Sequence, residues 1–68
     1  EFLGDYFHGN SLTKNEDEIN VFNKKSMKQL YIETFKRFDE IVKLGFKIIY
    51  IWESDYKKYG LKGIKEYN

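Results

Sequence analysis

The chain has 68 residues, enough for one small domain near the size at which a single apolar core only just offsets chain entropy. It contains no cysteine and one histidine, which excludes disulfides, thiolate zinc sites and imidazole clusters. Hydrophobic residues make up 41% of the chain, which excludes intrinsic disorder, and 12 basic against 11 acidic side chains give no bulk attraction for nucleic acid or membrane.

No apolar run approaches the roughly 20 residues of a membrane span, and the sequence has no signal-peptide pattern. We therefore expect a cytoplasmic protein without a membrane partner. The chain opens on an apolar segment without a methionine. For this reason we expect residues 1–68 to be the C-terminal part of a single domain that is truncated at its N-terminus.

Residues 1–8 are mostly aromatic or aliphatic and predict a first strand, with Gly4 at a bend or a close backbone approach. The composition of residues 9–25 is polar and predicts a long surface loop, pinned by one small apolar cluster. This cluster consists of Ile19, Val21 and Phe22. Loops of this length in compact domains tend to be functional.

Ser26 and Gln29 form a capping box, which predicts the start of a helix. Apolar side chains then recur at three- and four-residue steps, with charged side chains opposite them. The predicted buried stripe comprises Met27, Leu30, Tyr31, Thr34, Phe35, Phe38, Ile41 and Val42. Gly45 suits a left-handed residue after the helix, which we therefore expect to end near Leu44.

Residues 46–52 are β-branched and aromatic, and predict a strand inside a sheet that is covered on both faces. Ser54 offers an N-cap for a short helix that runs through Tyr59 and stops at Gly60. The tail after Leu61 has no firm prediction.

The order strand, helix, strand predicts an α/β fold in which two parallel strands are joined right-handedly and the helix covers one sheet face. Two strands do not make a stable sheet alone. We therefore expect further strands before Glu1, or another chain, to complete the sheet.

Polar residues suited to chemistry are concentrated in the opening segment, at Glu1, Asp5, His8 and Asn10. On an extended strand Glu1 and Asp5 project from the same face. Two carboxylates together suit a hard cation such as Mg²⁺, and a neighbouring imidazole can move a proton during phosphodiester hydrolysis. Strand carboxylates are also commonly solvated, and single histidines commonly have a structural role. A purely structural interpretation of these residues therefore stays open beside the metal site.

Two groups of side chains could contact DNA. Tyr6 and Phe7 could stack on or wedge between bases, although core packing would explain them equally. The basic tail could meet phosphates or form a solvated face. It carries Lys57, Lys58, Lys62 and Lys65 against Glu66. Serine catalysis is disfavoured, because Ser11 lies in a polar loop without a Gly-x-Ser-x-Gly turn.

Three segments, residues 1–10, 31–37 and 44–53, together resemble the very short patch repair endonucleases and the related EDxHD homing endonucleases of the PD-(D/E)XK nuclease superfamily. The resemblance covers about residues 1–58. Its motifs are Gly-Asp-Tyr-Phe-His at 4–8 and Leu-Gly-Phe at 44–46, which is followed by Trp-Glu at 52–53. It implies a restriction-endonuclease-like mixed sheet and a Mg²⁺-dependent enzyme that cleaves double-stranded DNA, for which a homodimer is plausible.

The resemblance also implies roles for individual residues. Glu1 matches a metal ligand, and Phe2 a residue whose backbone carbonyl reaches the ion. Leu3 takes the place of a lysine, or of a histidine in the repair enzymes. His8 matches a histidine that assists the metal-bound water or the phosphate, with Asp5 supporting the metal or His8.

Further matches concern the DNA contacts and the missing acids. Tyr6 and Phe7 match an aromatic pair that enters DNA, and we expect Lys57 and Lys58 to meet phosphates. Thr34 lies near a position that carries an aspartate in the repair enzymes. The resemblance places a further glutamate and aspartate before Glu1, so we expect little cleavage from residues 1–68 alone. The alternatives are a non-catalytic remnant that binds DNA or protein, and a purely structural α/β fragment.

Overall fold

The computed structural model describes residues 1–67, which form a small mixed α/β domain with a three-stranded sheet. The strands are β1 (Phe2–Leu3), β2 (Ile48–Trp52) and β3 (Lys65–Tyr67). The helices are α1 (Asp5–His8), α2 (Met27–Lys43) and α3 (Glu53–Tyr59), and a 3₁₀ turn (Gly60–Gly63) precedes β3. The last residue of the predicted domain, Asn68, lies outside the described residues.

The sheet has the order β1-β2-β3, with β2 at its centre. β1 pairs with β2 in parallel, Phe2 opposite Ile51 and Leu3 opposite Trp52. β3 pairs with β2 antiparallel. The predicted parallel pair and the place of the second strand inside the sheet are therefore confirmed. β3 lies in the tail, which had no firm prediction.

α2 matches its prediction closely. The Ser26 hydroxyl accepts a hydrogen bond from the Gln29 backbone amide at 3.1 Å, and the helix ends one residue before Leu44. Gly45 follows with a positive φ of 93°, a conformation that glycine adopts at little cost. The side-chain amide of Gln29 donates to Glu33 and its oxygen does not accept from the Ser26 backbone amide, so only half of the capping box forms.

The predicted strand over residues 1–8 is wrong beyond Leu3. Gly4 is extended, and Asp5 then begins α1, a single helical turn closed by Gly9 with a φ of 67°. A Cβ atom at Gly9 would lie 1.9 Å from the carbonyl oxygen of Met27. Glycine at this position therefore allows both the left-handed turn and the close passage of the chain across the start of α2.

The core lies between α2 and one face of the sheet. Its buried members are Leu3, Phe38, Ile48 and Trp52, packed against Phe35, Ile41, Val42, Tyr50 and Tyr67. On the opposite face of β2, Ile51 is buried but Ile49 is 57% exposed. The prediction that the second strand is covered on both faces therefore holds at Ile51 and is wrong at Ile49, since the described helices leave that end of the face open.

The long loop is held by a buried amide rather than by its apolar residues. Ile19, Val21 and Phe22 are all exposed, so the prediction that they pin the loop is wrong. Asn20 is fully buried instead, and its side-chain oxygen accepts from the Phe22 amide at 2.8 Å. Its backbone also bonds to Lys25 and Lys24. A loop without a ladder needs such partners for its backbone groups.

The third helix starts two residues earlier than predicted, with Trp52 instead of Ser54 in the cap position and no side-chain cap. Ser54 is instead turned towards the loop, where its hydroxyl accepts from Asn10. The predicted stop at Gly60 is confirmed. Among residues 1–67 there is no helix whose length and apolar content would let it cross a lipid bilayer.

Candidate functional site

Asp5 is the polar centre of a small buried network. It is 8% exposed, and its carboxylate accepts hydrogen bonds from the Thr13 hydroxyl at 2.9 Å, the Asn10 amide at 3.3 Å and the Ser54 backbone amide at 3.4 Å. Burial raises the pKa of Asp5, but the bonds from Thr13, Asn10 and Ser54 outweigh it and hold the pKa below its ordinary value. An ionised Asp5 therefore ties α1 to the loop and to α3.

His8 lies in a different environment, against α2. Its Nδ1 atom is 3.0 Å from the Thr34 hydroxyl oxygen. Burial lowers the pKa of His8, the nearby Glu1 carboxylate raises it and the Arg37 guanidinium lowers it, with a net downward shift. The imidazole is therefore neutral at pH 7.

Glu1 meets the same face of α2, because its carboxylate accepts a hydrogen bond from the Arg37 guanidinium. Thr34 and Arg37 are three positions apart on the helix, so they lie on one face. α2 thus brings Glu1 and His8 to neighbouring positions. The predicted arrangement, with Glu1 and Asp5 on one strand face, is wrong because the strand stops at Leu3 and Asp5 bonds to the loop and α3.

The backbone of Phe2 is free at the sheet edge. The Glu1 carbonyl accepts from Ile51, and the Glu1 amino group donates to Ile49 at 2.6 Å. Because successive residues of a strand direct their backbone groups to opposite sides, the Phe2 carbonyl points to the outer edge of β1. The Phe2 side chain is 56% exposed and meets Tyr56 edge-on.

Two of the predicted magnesium ligands offer oxygen donors. The Glu1 carboxylate and the Phe2 carbonyl are the hard ligands that Mg²⁺ prefers, and a cation at Glu1 would replace the Arg37 guanidinium. Within residues 1–67 there is no group of three histidine or carboxylate side chains close enough to hold a metal. Asp5 supports His8 only through α1, since its carboxylate already has three donors.

The exposed aromatic pair differs from the predicted one. Tyr6 is half-buried, and its hydroxyl accepts a hydrogen bond from the Val21 amide at 2.9 Å. Phe7 is 53% exposed and Phe22 is 76% exposed, and their rings stack with centroids 5.8 Å apart. Sequence reasoning placed Phe22 in the loop cluster and missed this partner, although a phenylalanine in a polar loop was a visible signal.

A cleft of about 350 Å³ opens beside His8. We call it the His8 cleft. It is lined by Phe7, His8, Asn23, Lys25, Leu30, Glu33, Thr34 and Arg37. Lys25 bonds to Glu33 at 2.7 Å, so both cations of the cleft have a carboxylate partner. The cleft thus combines an imidazole, two cations and an exposed aromatic ring.

Each lysine of α3 has one contact with another residue of the same helix. Lys57 pairs with Glu53 at 3.5 Å, and the Lys58 ammonium lies 5.2 Å from the centre of the Tyr59 ring. Both residues are exposed. Neither of these two contacts involves a residue of the His8 cleft.

In comparisons with known proteins, no family model, no curated protein and no solved structure matches this chain. We therefore infer function from the geometry of residues 1–67 and from the motifs at 4–8 and 44–53. The class that the structure defines is a small mixed α/β domain with polar side chains gathered on α2.

Proposed function

We propose that this chain is part of a metal-dependent DNA endonuclease domain of the PD-(D/E)XK type, which hydrolyses phosphodiester bonds in double-stranded DNA. The observation that carries the proposal is the joint placement of Glu1 and His8 against one face of α2. A carboxylate, a neutral imidazole and an exposed aromatic pair beside one cleft suit the handling of a nucleic acid. The motif resemblance supports the same class of enzyme.

In this proposal Glu1 and the Phe2 carbonyl hold Mg²⁺. When bound, the ion supplies Lewis-acid stabilisation of charge on a phosphate oxygen. His8 accepts a proton from water, because its imidazole is half-buried and its pKa is lowered. Arg37 can exchange its carboxylate partner for a phosphate, which a planar guanidinium binds well.

Asp5 contributes indirectly. Its carboxylate fixes α1 through Thr13, Asn10 and Ser54, and α1 carries His8 at its last position. The role proposed for Asp5 is therefore to hold His8 against α2 rather than to touch the substrate.

The proposed aromatic DNA contacts lie beside the His8 cleft. Phe7 and Phe22 offer exposed rings on which bases can stack, while Tyr6 supports the loop through its bond to Val21. Lys57 and Lys58 are proposed as peripheral phosphate contacts. A homodimer would place two such surfaces on one duplex.

A second candidate is a non-catalytic DNA-binding module. Leu3 occupies the position of the nuclease family's lysine, and it is fully buried in the core. No cation can therefore act on water from that position. This candidate keeps the aromatic pair and the lysines but gives His8 no proton-transfer role.

A plasmid-nicking assay on the gene product that carries this chain tests the proposal. We expect cleavage of supercoiled DNA with Mg²⁺, none with chelator, and a loss in His8→Ala and Glu1→Gln. Glu16→Gln, in the exposed loop, is the matched control and should cleave normally. Undiminished cleavage by His8→Ala would remove His8 from the mechanism. DNA binding that ignores chelator and falls steeply with salt, without cleavage, would favour the second candidate.

A further inference from the structure

The Thr34 hydroxyl has two partners that together determine where its hydrogen lies. It is 2.8 Å from the Leu30 carbonyl oxygen one turn earlier in α2, and 3.0 Å from His8 Nδ1. A hydroxyl has one hydrogen and can accept two further bonds. Thr34 is 5% exposed, so water does not supply another donor.

Only one assignment of hydrogens satisfies both short distances. If the hydroxyl donated to His8, the lone pairs of two oxygens, those of Thr34 and Leu30, would face each other at 2.8 Å. If it donates to the Leu30 carbonyl, as threonine commonly does in a helix, it can accept a bond from His8 Nδ1–H. The second arrangement leaves no repulsive contact.

We infer that Thr34 is a positioning residue that holds His8 in the tautomer with the hydrogen on Nδ1 and the lone pair on Nε2. The hydrogen bond made by one imidazole nitrogen sets which nitrogen carries the proton. Neither the motifs nor the comparisons assign this role to Thr34.

The other nitrogen is left accessible. Among the described residues, His8 Nε2 has no protein partner, and no buried side-chain nitrogen or oxygen lacks one. Nε2 therefore reaches solvent, in a residue that lines the His8 cleft. The charged groups that act on the ring are Glu1 and Arg37, and the net downward shift of the pKa keeps Nε2 unprotonated at pH 7.

The consequence for chemistry rests on the proposed function. A base must present a lone pair, not an N–H, to the proton that it takes. With Nδ1–H held by Thr34, the accessible Nε2 is ready to accept a proton from water in the cleft. The opposite tautomer would present a hydrogen there and would have to rearrange first.

The tautomer can be measured directly, because His8 is the single histidine of the chain. Two-bond ¹H–¹⁵N correlation spectra of the chain with ¹⁵N-labelled histidine, at about pH 8 where the ring is neutral, distinguish a protonated from an unprotonated ring nitrogen. We expect a protonated Nδ1 and an unprotonated Nε2. A wild-type spectrum with the hydrogen on Nε2 would overturn the inference.

Three variants separate positioning from packing. Thr34→Val keeps the shape but loses the acceptor, so its ring should show a mixture of tautomers, whereas Thr34→Ser should retain the wild-type spectrum. Ile32→Val shortens an exposed side chain of α2 outside the His8 cleft and should leave the tautomer of His8 unchanged. An unchanged tautomer in folded Thr34→Val would contradict the inference. If Thr34→Val does not fold, the spectra of the wild type and Thr34→Ser still decide.

An activity measurement keeps this inference distinct from the proposed function. In the nuclease, Thr34→Val should lower kcat about tenfold with little change in KM, as the loss of supporting hydrogen bonds commonly does, and Thr34→Ser should restore it. If the wild type shows the expected tautomer but no cleavage, the proposed nuclease activity is refuted and the role of Thr34 is not. Cleavage with the opposite tautomer would refute the role of Thr34 alone.

Discussion

The Glu1 carboxylate is bound by the Arg37 guanidinium, which joins the first residue of the chain to the middle of α2. Both side chains are more than a third exposed, so solvent screens the pair. An ion pair of this kind contributes about 0–1 kcal/mol to stability. Its larger effect is to keep the Glu1 carboxylate on the side of α2 that carries Thr34 and His8.

Arg37 should therefore compete with a divalent cation for Glu1. In Arg37→Ala we expect tighter Mg²⁺ binding, because a positive charge leaves the carboxylate, together with a loss of stability of no more than about 1 kcal/mol. A calorimetric Mg²⁺ titration measures the first effect and urea unfolding the second. Arg37→Lys keeps the charge and is the control. Mg²⁺ affinity equal in Arg37→Ala and the wild type would exclude Glu1 as a ligand.

Asp5 should support folding. Asp5→Asn replaces an acceptor oxygen by an amide group that faces the donors of Thr13, Asn10 and Ser54, so we expect a loss of about 1–3 kcal/mol in the free energy of unfolding. Asp17→Asn, at an exposed loop position, is the control and should change stability little. A stability of Asp5→Asn equal to that of the control would contradict the network.

The same residue should give a pH dependence of defined sign. The folded-state pKa of Asp5 lies below its ordinary value of 3.8, so the folded protein binds fewer protons than the unfolded chain. Its contribution is complete above about pH 3.8 and is lost as the pH falls through the folded-state pKa. Between the ordinary and the folded-state pKa, we expect the free energy of unfolding of Asp5→Asn to fall less steeply with decreasing pH than that of the wild type. Urea unfolding of both proteins at several pH values in this range measures the difference. An identical dependence of stability on pH would refute the lowered pKa.

Asn20 should be a main determinant of loop order. Its buried side chain bonds to the Tyr6 carbonyl and to the amides of Phe22 and Asn23. Asn20→Ala leaves these groups without a partner, at a cost of about 1–3 kcal/mol. Faster amide hydrogen exchange over residues 19–25 would report the loosened loop. Asn15→Ala, at an exposed position with one such bond, should leave exchange there unchanged.

Phe22 should contribute to DNA binding and not to the stability of the fold. It is exposed and stacks on Phe7, so Phe22→Ala should weaken DNA binding by about 1–3 kcal/mol, the range for loss of one stacked base, with little change in unfolding. Leu12→Ala removes another exposed apolar side chain and is the control. Fluorescence anisotropy with a labelled duplex measures the affinity. Equal weakening in both variants would point to non-specific apolar binding.

The elements with strong local signals could be predicted from the sequence. Ser26, the apolar stripe and Gly45 indicated both ends of α2. The β-branched and aromatic run at 46–52 identified the central strand, which begins two residues later than predicted, at Ile48. These predictions succeed because capping and amphipathic periodicity act over one or two helical turns. The parallel pairing of β1 with β2 followed from the crossover between them.

The site was predicted in composition but not in geometry. The apolar content of residues 1–8 predicted one continuous strand, yet Gly4 and Gly9 bracket a helical turn that redirects Asp5 and His8. The partners of these residues, Ser54 and Thr34, are 49 and 26 positions away. Contacts across such separations depend on tertiary packing, which local patterns do not encode. For the same reason Phe22 and Arg37 were not recognised as part of the site.

The most direct test of the account asks which surface of the chain meets DNA. Amide chemical shifts of the ¹⁵N-labelled chain should be followed while a short duplex is added. We predict chemical-shift changes at Phe7, His8, Phe22 and Arg37, with smaller changes at Lys57 and Lys58. Changes confined to Lys57 and Lys58, with the His8 cleft unaffected, would contradict it.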